Sequence, residues 1–595
     1  MNVLGKKAGN KQSEVVTLKW LKKVVGKQIW GMIFLTLCNS VISVSSIILA
    51  LMMKSIIDGA TSGDREKFLR YALILGGIIL MQLFFRSVIR YLDEKTKSGL
   101  ENVFKVRIYK TILYRSFKDL SDIHSGELMN RMTNDVTVVS EGIATIIPNV
   151  TAMITKLILA SVVLLTFDMR FAFVFLAGGC LMIVITYVFR KIIKRFHKEV
   201  QENDGQVRSF LQETVGSILI LRSFGAEERA VSIADDRMVK HRKSRMKKNF
   251  FSNLCNIGFG AAMNGGYLFG LVWGGYNILE GSITYGTLTA VLQLINQIQQ
   301  PVADVTGYIP KYYGMLASAE RLMELENMPE DKPKIKLTKA EMKTLYGNLQ
   351  EIHLNHITFS YSKAEENILQ DASYSFDKGD YVAIVGESGI GKSTMLKLLL
   401  SLYDNYEGNI ELILRNQNNI DDGVNPDWID SAYNMKNAVI QLNANFRGLF
   451  SYVPQGNFLM SGTIADTIIF LRKETESIRS EELKKVKDAC KIACADTFIE
   501  ELQSGYETSI GENGSGLSEG QIQRIAIARA VYSDAPIILL DEATSALDEI
   551  TEKRVLKNLK ELTDKTVIIV THRKASLDVC NKVVELVDKK FNNIR

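Results

Sequence analysis

Apolar residues form long runs before about residue 310 and only short bursts after about residue 345. No other feature limits the fold so strongly. A helix that crosses a bilayer needs roughly 20 mainly apolar residues. Six stretches qualify: about 28–56, 68–92, 143–166, 171–189, 252–279 and 284–310. The last is the weakest, because LQLINQIQQP is polar for a helix facing lipid. The pattern predicts a polytopic membrane domain.

The connections between these stretches are unequal. Asp58–Lys67, Phe167–Arg170 and Glu280–Ile283 are short, and their only cations are Arg65, Lys67 and Arg170. The other two, about 93–142 and 190–251, are long, and the second carries fifteen Lys and Arg from Arg190 to Lys248. The positive-inside rule puts these long segments and both termini in the cytoplasm. They keep a helical period, as in KSGLENVFKVRIYKTILYRSF. They read as spanning helices that continue past the bilayer, by roughly 30 Å for about 20 residues. Asp122–Met132 and Val215–Phe224 are the expected distant tips.

The N-terminal Met1–Lys27 puts Leu18, Leu21, Val24 and Val25 on one helical face with Trp20 beside them and several lysines around them. Two readings are open: a helix lying on the cytoplasmic leaflet, or a solvated basic tail. On the last span Gln293, Asn296 and Gln300 share a face, and either border a translocation path or bond between helices. The net charge of +6 is small for 595 residues and argues against a nucleic-acid partner. The six cysteines are scattered and read as reduced, packed thiols.

After a charged linker at Glu326–Leu345 the chemistry changes. DYVAIVGESGIGKST (Asp380–Thr394) runs from a strand into Gly386-x-x-x-x-Gly391-Lys392-Ser393 and on into a helix. This is a phosphate loop in its required setting: backbone N–H groups wrap phosphates, Lys392 reaches the outer ones, and Ser393 offers an oxygen to Mg²⁺. A second apolar strand, Ile537–Leu540, ends in Asp541-Glu542. Asp541 is placed to hold Mg²⁺, and Glu542 to orient or deprotonate an attacking water. In GLSEGQIQRIAIARA, Ser518 and Gln521 are spaced as a capping box, and a helix start also attracts anions.

Together these residues resemble the ATP-binding cassette family over nearly the whole chain. The resemblance implies ATP bound by Gly386, Glu387, Ser388, Gly389, Ile390, Gly391, Lys392, Ser393 and Thr394, with Tyr361 of HITFSYS stacked on adenine. Gln455 of SYVPQGN looks like the switch glutamine contacting Mg²⁺ and the water. LSEGQ looks like the signature motif, with Ser518, Gly520 and Gln521 facing ATP held by a second chain. Asp548 of SALD looks like part of the dimer-contact loop, and His572 like the γ-phosphate switch. TSIGENG resembles the loop that senses the membrane domain. SFKDLSDIHSGELMNRMTND and QETVGSILILRSFGAEE resemble the two coupling segments of exporter-type members.

The expected architecture is multidomain. An all-α six-helix transmembrane domain with long cytoplasmic helical extensions occupies 1–325, a linker 326–345, and an α/β P-loop ATPase domain 346–595. The resemblance implies an ATP-hydrolysing half-transporter that exports by alternating access as a homodimer or heterodimer. It would sit in the plasma (inner) membrane with its ATPase domain cytoplasmic. An importer on the same fold and an ATP-gated channel are the alternatives. Two departures stand out. The usual signature is LSGGQ, so Glu519 places a carboxylate near a triphosphate, which at 4 Å costs about 4 kcal/mol at an effective dielectric near 20. Either its side chain turns away and favours the helix dipole, or the motif is a weakened one matched to a different partner. The segment 411–450 is longer than most cassettes carry, and its polar middle reads as a surface loop.

Overall fold

The computed structural model describes residues 2–167, 169–361, 366–415, 433–434, 439–456, 459–470, 480–511 and 514–595. They divide into two compact units, one running to 110 and resuming over 125–326, the other comprising 111–124 and 327–595.

The first unit is helical. Its elements are α1 (Asn2–Val25), α2 (Ile29–Thr61), α3 (Arg65–Tyr114), α4 (Phe117–Ser121), α5 (Ser125–Asn130), α6 (Val136–Phe167), α7 (Met169–Gly216), α8 (Ile218–Ser223), α9 (Glu227–Leu279) and α10 (Tyr285–Asn327), with α4 and the end of α3 belonging to the second unit. Each apolar stretch read from the sequence falls within one of these helices. Among the described residues Ser13–Thr61, Arg65–Tyr114 and Ser125–Phe167 are long and apolar enough to cross a membrane. The side chains of 171–189 lie outside the described residues. In α9 and α10 glycines, Asn and Gln dilute the apolar runs. The 50 residues of α3 reach about 75 Å at 1.5 Å per residue, so this helix does extend far beyond a bilayer's thickness. Its core is local: Ile47 and Ala50 of α2, Ala160 and Leu164 of α6, and Val291, Leu294 and Ile295 of α10 pack together.

The N-terminal segment differs from both sequence readings. Of the expected face, Leu21, Val24 and Val25 are buried in protein, while Leu18 is exposed. Trp20 packs on Phe104 of α3 with ring centroids 5.9 Å apart and donates to Glu326. The apolar face was legible, but what covers it was not.

Between α5 and α6 the backbone makes one π-helical turn, Arg131–Asp135. Asp135 is fully buried and accepts from Arg321 Nε (2.8 Å) and Ser318 Oγ (2.9 Å) of α10, while Arg131 donates to the Arg321 carbonyl (3.0 Å). A buried carboxylate is tolerable only when so bonded.

The second unit opens with α11 (Lys339–Asn348), capped by a reciprocal Thr338/Glu341 box. Residues 326–345 read as linker in the sequence, yet Met342 and Leu345 lie in this unit's core beside Tyr346. Thr338-x-x-Glu341 was the overlooked signal. The strands are β1 (Leu349–Phe359), β2 (Leu369–Asp377), β3 (Tyr381–Gly386), β4 (Tyr406–Leu414), β5 (Tyr433–Asn434), β6 (Val439–Gln441), β7 (Phe450–Val453), β8 (Gly462–Thr463), β9 (Ser509–Ile510), β10 (Ile537–Asp541), β11 (Thr566–Val570), β12 (Lys582–Val587) and β13 (Lys590–Asn593). One sheet is antiparallel, ordered β2-β1-β4-β6-β5. The other runs β13-β12-β3-β11-β10-β7, parallel except for β13. Its central strands are continuous apolar runs because both faces are covered. Val382 and Ile384 enter one core, whereas Tyr381 and Ala383 enter the other. Of the long segment 411–450, residues 416–432 and 435–438 lie outside the described residues.

Removing Arg321 leaves the buried Asp135 with Ser318 alone. Arg321→Ala is expected to destabilise by about 1.5–3 kcal/mol, read as a lower melting temperature of the purified protein. An unchanged melting temperature would mean water already screens the pair.

Candidate nucleotide site

Strand register assembles the site. β3, β11, β10 and β7 lie side by side and parallel, with Ile384 opposite Val570, Val570 opposite Asp541, and Leu540 opposite Val453. Residues just past these positions therefore converge at one sheet edge, the carboxyl end where open α/β sheets bind ligands. The phosphate loop, Glu542, His572 and Gln455 all leave the sheet there.

The loop needs its glycines. Gly386 has φ +142°, and a Cβ there would sit 2.6 Å from the Leu586 carbonyl oxygen. Gly391 caps the next helix, α12 (Lys392–Leu399), at φ +113°. These are backbone states that side chains disfavour. The N-terminus of α12 then points free N–H groups at an anion. Lys392 is buried, and its ammonium donates to the carbonyls of Gly386 (2.8 Å) and Glu387 (2.7 Å). Burial pulls its pKa below the usual lysine range. Phosphate oxygens are the stronger acceptors for this group.

Asp541 is buried at the end of β10 and accepts from Ser393 Oγ (2.8 Å) and Tyr452 Oη (3.0 Å). Burial raises its pKa, against those two bonds. Glu542 sits at φ +51°, its N–H bonded to the Val570 carbonyl. One carboxylate oxygen accepts from Gln455 Nε2 (2.7 Å), and the other meets His572 Nε2 at 3.1 Å. Glu542 thus stands in a left-handed backbone state with its carboxylate held from two sides, by Gln455 and His572. The Tyr361 hydroxyl bonds Thr394 Oγ1 at 2.8 Å, fixing the aromatic ring beside the loop.

The signature residues form a different pocket. Ser518 caps α16 (Glu519–Tyr532), after α13 (Ile464–Ile469), α14 (Ser480–Ile492) and α15 (Asp496–Glu501), with the predicted reciprocal box to Gln521. Asp548 caps α17 (Glu549–Lys560), which precedes α18 (Lys574–Val579), by accepting from Thr551 N; that bond holds its carboxyl below the usual range. Between the two caps lies a cavity of about 430 Å³ lined by Ser518, Glu519, Gly520, Arg524, Ala546, Leu547, Asp548 and Thr551. No phosphate-loop residue lines it. A Cβ on Gly520 would stand 3.0 Å from the Ala546 carbonyl oxygen, so this glycine is needed for close approach. Glu519, an exposed residue, is among those that line the cavity. Arg524 lines the same cavity and lies over the Phe498 ring at 4.6 Å.

Family models match residues 29–302, as ABC transporter transmembrane region, and 369–545, as ABC transporter. The chain is 30% identical to the ATP-dependent lipid A-core flippase of Desulfotalea psychrophila, over 87% of this chain and 86% of that protein. This chain belongs to the ATP-binding cassette transporter family. It is 27% identical to a putative multidrug export ATP-binding/permease protein of Staphylococcus aureus, over 90% of this chain and 89% of that one. Its fold matches a bacterial Atm1-family ABC exporter with ATP bound, with a TM-score of 0.75 and 21% identity over 96% and 94% of the two chains. Membership in this transporter family brings ATP hydrolysis coupled to export.

Several supporting residues escaped the sequence reading. Gln523 is buried and ties α16 to the Ser545–Asp548 loop through Ser545 Oγ (2.9 Å) and Ala546 N (3.0 Å). Arg573 Nη1 braces that loop through the Thr544 carbonyl (3.0 Å) and Glu552 (2.8 Å). Arg524 is four residues past Gly520, one helical turn, which is the signal that placed it in reach. Gln523, Arg573 and Tyr452 had none, since their partners lie on other elements 21 to 89 residues away.

Glu542→Gln keeps the shape and the Gln455 contact but cannot accept a proton. Steady-state ATP turnover is expected to fall about 10²–10⁴-fold with nucleotide binding retained. Turnover near the wild-type rate would remove Glu542 from the base role. Lys392→Ala is expected to weaken ATP binding itself, measured by equilibrium titration, which separates the two residues.

Proposed function

We propose that this chain is one half of a dimeric exporter that moves an amphiphilic cargo outward by alternating access. The observation that carries the reading is the separation of the two half-sites. The phosphate loop and the Ser518–Asp548 cavity share no lining residue. Each is half of a nucleotide seat, so ATP held by one chain needs the signature face of another. The second cytoplasmic tip supports this reading: Val215, Ile218, Leu219, Ile220 and Phe224 are all exposed. An apolar patch of this kind marks a protein interaction site.

In the proposed cycle the loop N–H groups and Lys392 bind the triphosphate, and Tyr361 stacks on adenine. Ser393 Oγ and Asp541 Oδ1, two hard oxygen donors 2.8 Å apart, suit Mg²⁺. That ion, when bound, would neutralise charge growing on the phosphate oxygens. Glu542, oriented by Gln455 and His572, takes the proton of the attacking water. ATP favours the closed dimer, and its hydrolysis returns the open one. The cytoplasmic cation surplus supports an orientation with the ATPase units inside and the chain in the plasma (inner) membrane. The proposed domains are 1–325, with the membrane-crossing helices, and 346–595, the latter extended at its start by α11.

The cargo reading draws on the relatives, which are named for lipid flipping and multidrug export. On α10 Gln297 and Gln299 already bond the Ser46 and Met263 carbonyls, at 2.8 Å each. Asn296 and Gln300 stay exposed on their own stripe. Polar side chains at membrane depth belong beside a wet path.

Inside-out vesicles carrying the purified protein are expected to accumulate a lipid-like or drug-like amphiphile only with hydrolysable ATP. Loss of cargo from the vesicles instead would indicate import, and flow only down a gradient would indicate a channel. Native mass measurement is expected to give two chains per assembly.

A further inference from the structure

Four aromatic rings join the proposed adenine platform to the first cytoplasmic tip. Tyr361 meets Tyr403 edge to face, with ring centroids 5.4 Å apart. Phe359 touches both, at 5.2 and 5.4 Å. Tyr403 in turn meets Phe117, the first residue of α4, at 5.8 Å and 88°. All four belong to the same compact unit. Tyr403 is buried. The far end of the series is fixed, since the Tyr361 hydroxyl is held by Thr394 in the first turn of α12.

A second set of bonds keeps the tip in place. Ser116 N donates to the Pro329 carbonyl (3.0 Å), and Asp331 N to the Tyr114 carbonyl (2.9 Å). Asp331 accepts from Arg447 (2.7 Å), whose Nε holds the Leu400 carbonyl (2.8 Å). Leu400, three residues before Tyr403, is thus tied through Arg447 to Asp331. One packed path for movement of Tyr361 runs through Tyr403 to Phe117, and close-packed interiors transmit displacement rather than absorb it.

We propose that Tyr403 is a positioning residue that passes occupancy of the adenine seat to the 111–124 tip, and so couples nucleotide binding to the membrane helices independently of Gln455. The proposal rests on the reading of Tyr361 as the adenine platform. Edge-to-face contact is directional, so stacking of a purine on Tyr361 selects among ring orientations. Tyr403 carries that selection to α4. Coupling of this kind is a difference in nucleotide affinity between two tip arrangements, and it runs both ways.

The test uses full-length protein in nanodiscs: wild type, Tyr403→Phe, Tyr403→Leu, Phe117→Leu and the double Phe117→Leu/Tyr403→Leu variant. Backbone hydrogen exchange over 111–124 is read with and without a non-hydrolysable ATP analogue. The analogue is expected to protect this segment in wild type and in Tyr403→Phe. In both leucine variants protection is expected to disappear while analogue affinity stays within about twofold of wild type. Cargo moved per ATP in vesicles is expected to fall about fivefold or more in each. The double variant is expected to be no worse than either single one, because both cut the same contact. Protection persisting in Phe117→Leu, or losses that multiply in the double variant, would overturn the relay. So would a tenfold or larger loss of analogue affinity, about 1.4 kcal/mol, since Tyr403 would then belong to the binding seat. Phe117 lies at the tip and is partly exposed, so its variant keeps the test open if Tyr403→Leu fails to fold. A wild-type protein that protects 111–124 but moves no cargo would support the relay and overturn the export reading. Unchanged analogue affinity in Tyr361→Leu would remove the relay's input and overturn it.

Discussion

A buried ammonium has to be satisfied, and Lys392 is satisfied by two carbonyls of its own loop. The rest of the nucleotide unit is arranged around that fact. The loop curls tightly enough to offer those carbonyls only because Gly386 and Gly391 take positive φ values. Its position is fixed because β3 is flanked by β12 and β11 in a sheet buried on both faces. When a triphosphate arrives, the ammonium exchanges two neutral acceptors for anionic ones, and the N–H groups of α12 face the same charge. The site is built for an anion before one binds.

The same sheet explains why the acidic residues do not repel the nucleotide outright. Asp541 is buried between Ser393 and Tyr452, with its charge disfavoured by burial. Glu542 lies at the outer edge and shares its charge with Gln455 and His572. Two adjacent carboxylates thus have separate surroundings, and separate surroundings give them separate tasks. Glu519 belongs to neither. It opens α16, where a carboxylate favours the helix dipole, yet it lines the cavity that also holds Arg524.

In the helical unit a different constraint operates. Beyond the apolar spans the long helices still bury apolar side chains, such as Leu100, Phe104 and Ile108 of α3 and Leu322 and Leu325 of α10, and a few bonded points add to that packing. The buried Asp135 at a π-helical turn, clasped by Arg321 and Ser318, is one such point. Trp20 and Glu326, with Arg107 also bonded to Glu326, make another. Both tie α10 to helices distant in sequence, and α10 is the helix that bears the exposed Asn296 and Gln300.

Much of this was legible in the chain because it is local. Hydrophobic run length gave the helices, the glycine spacing gave the phosphate loop, and Ser518-x-x-Gln521 gave a cap that forms as read. Asp541-Glu542 after an apolar strand was a local signal too. What only the tertiary structure decided depends on register and on faces. The convergence of Gln455, Glu542 and His572 follows from three parallel strands paired in step, which no single stretch encodes. The burial of Leu21, Val24 and Val25, and the helix within the expected linker, were decided by surfaces far along the chain. The contact of Phe117 with Tyr403 joins residues whose relation exists only once both are folded. Sequence sets which groups are present and how each short segment bends, because those terms are short-ranged. Packing sets which groups meet, because that depends on every other segment at once.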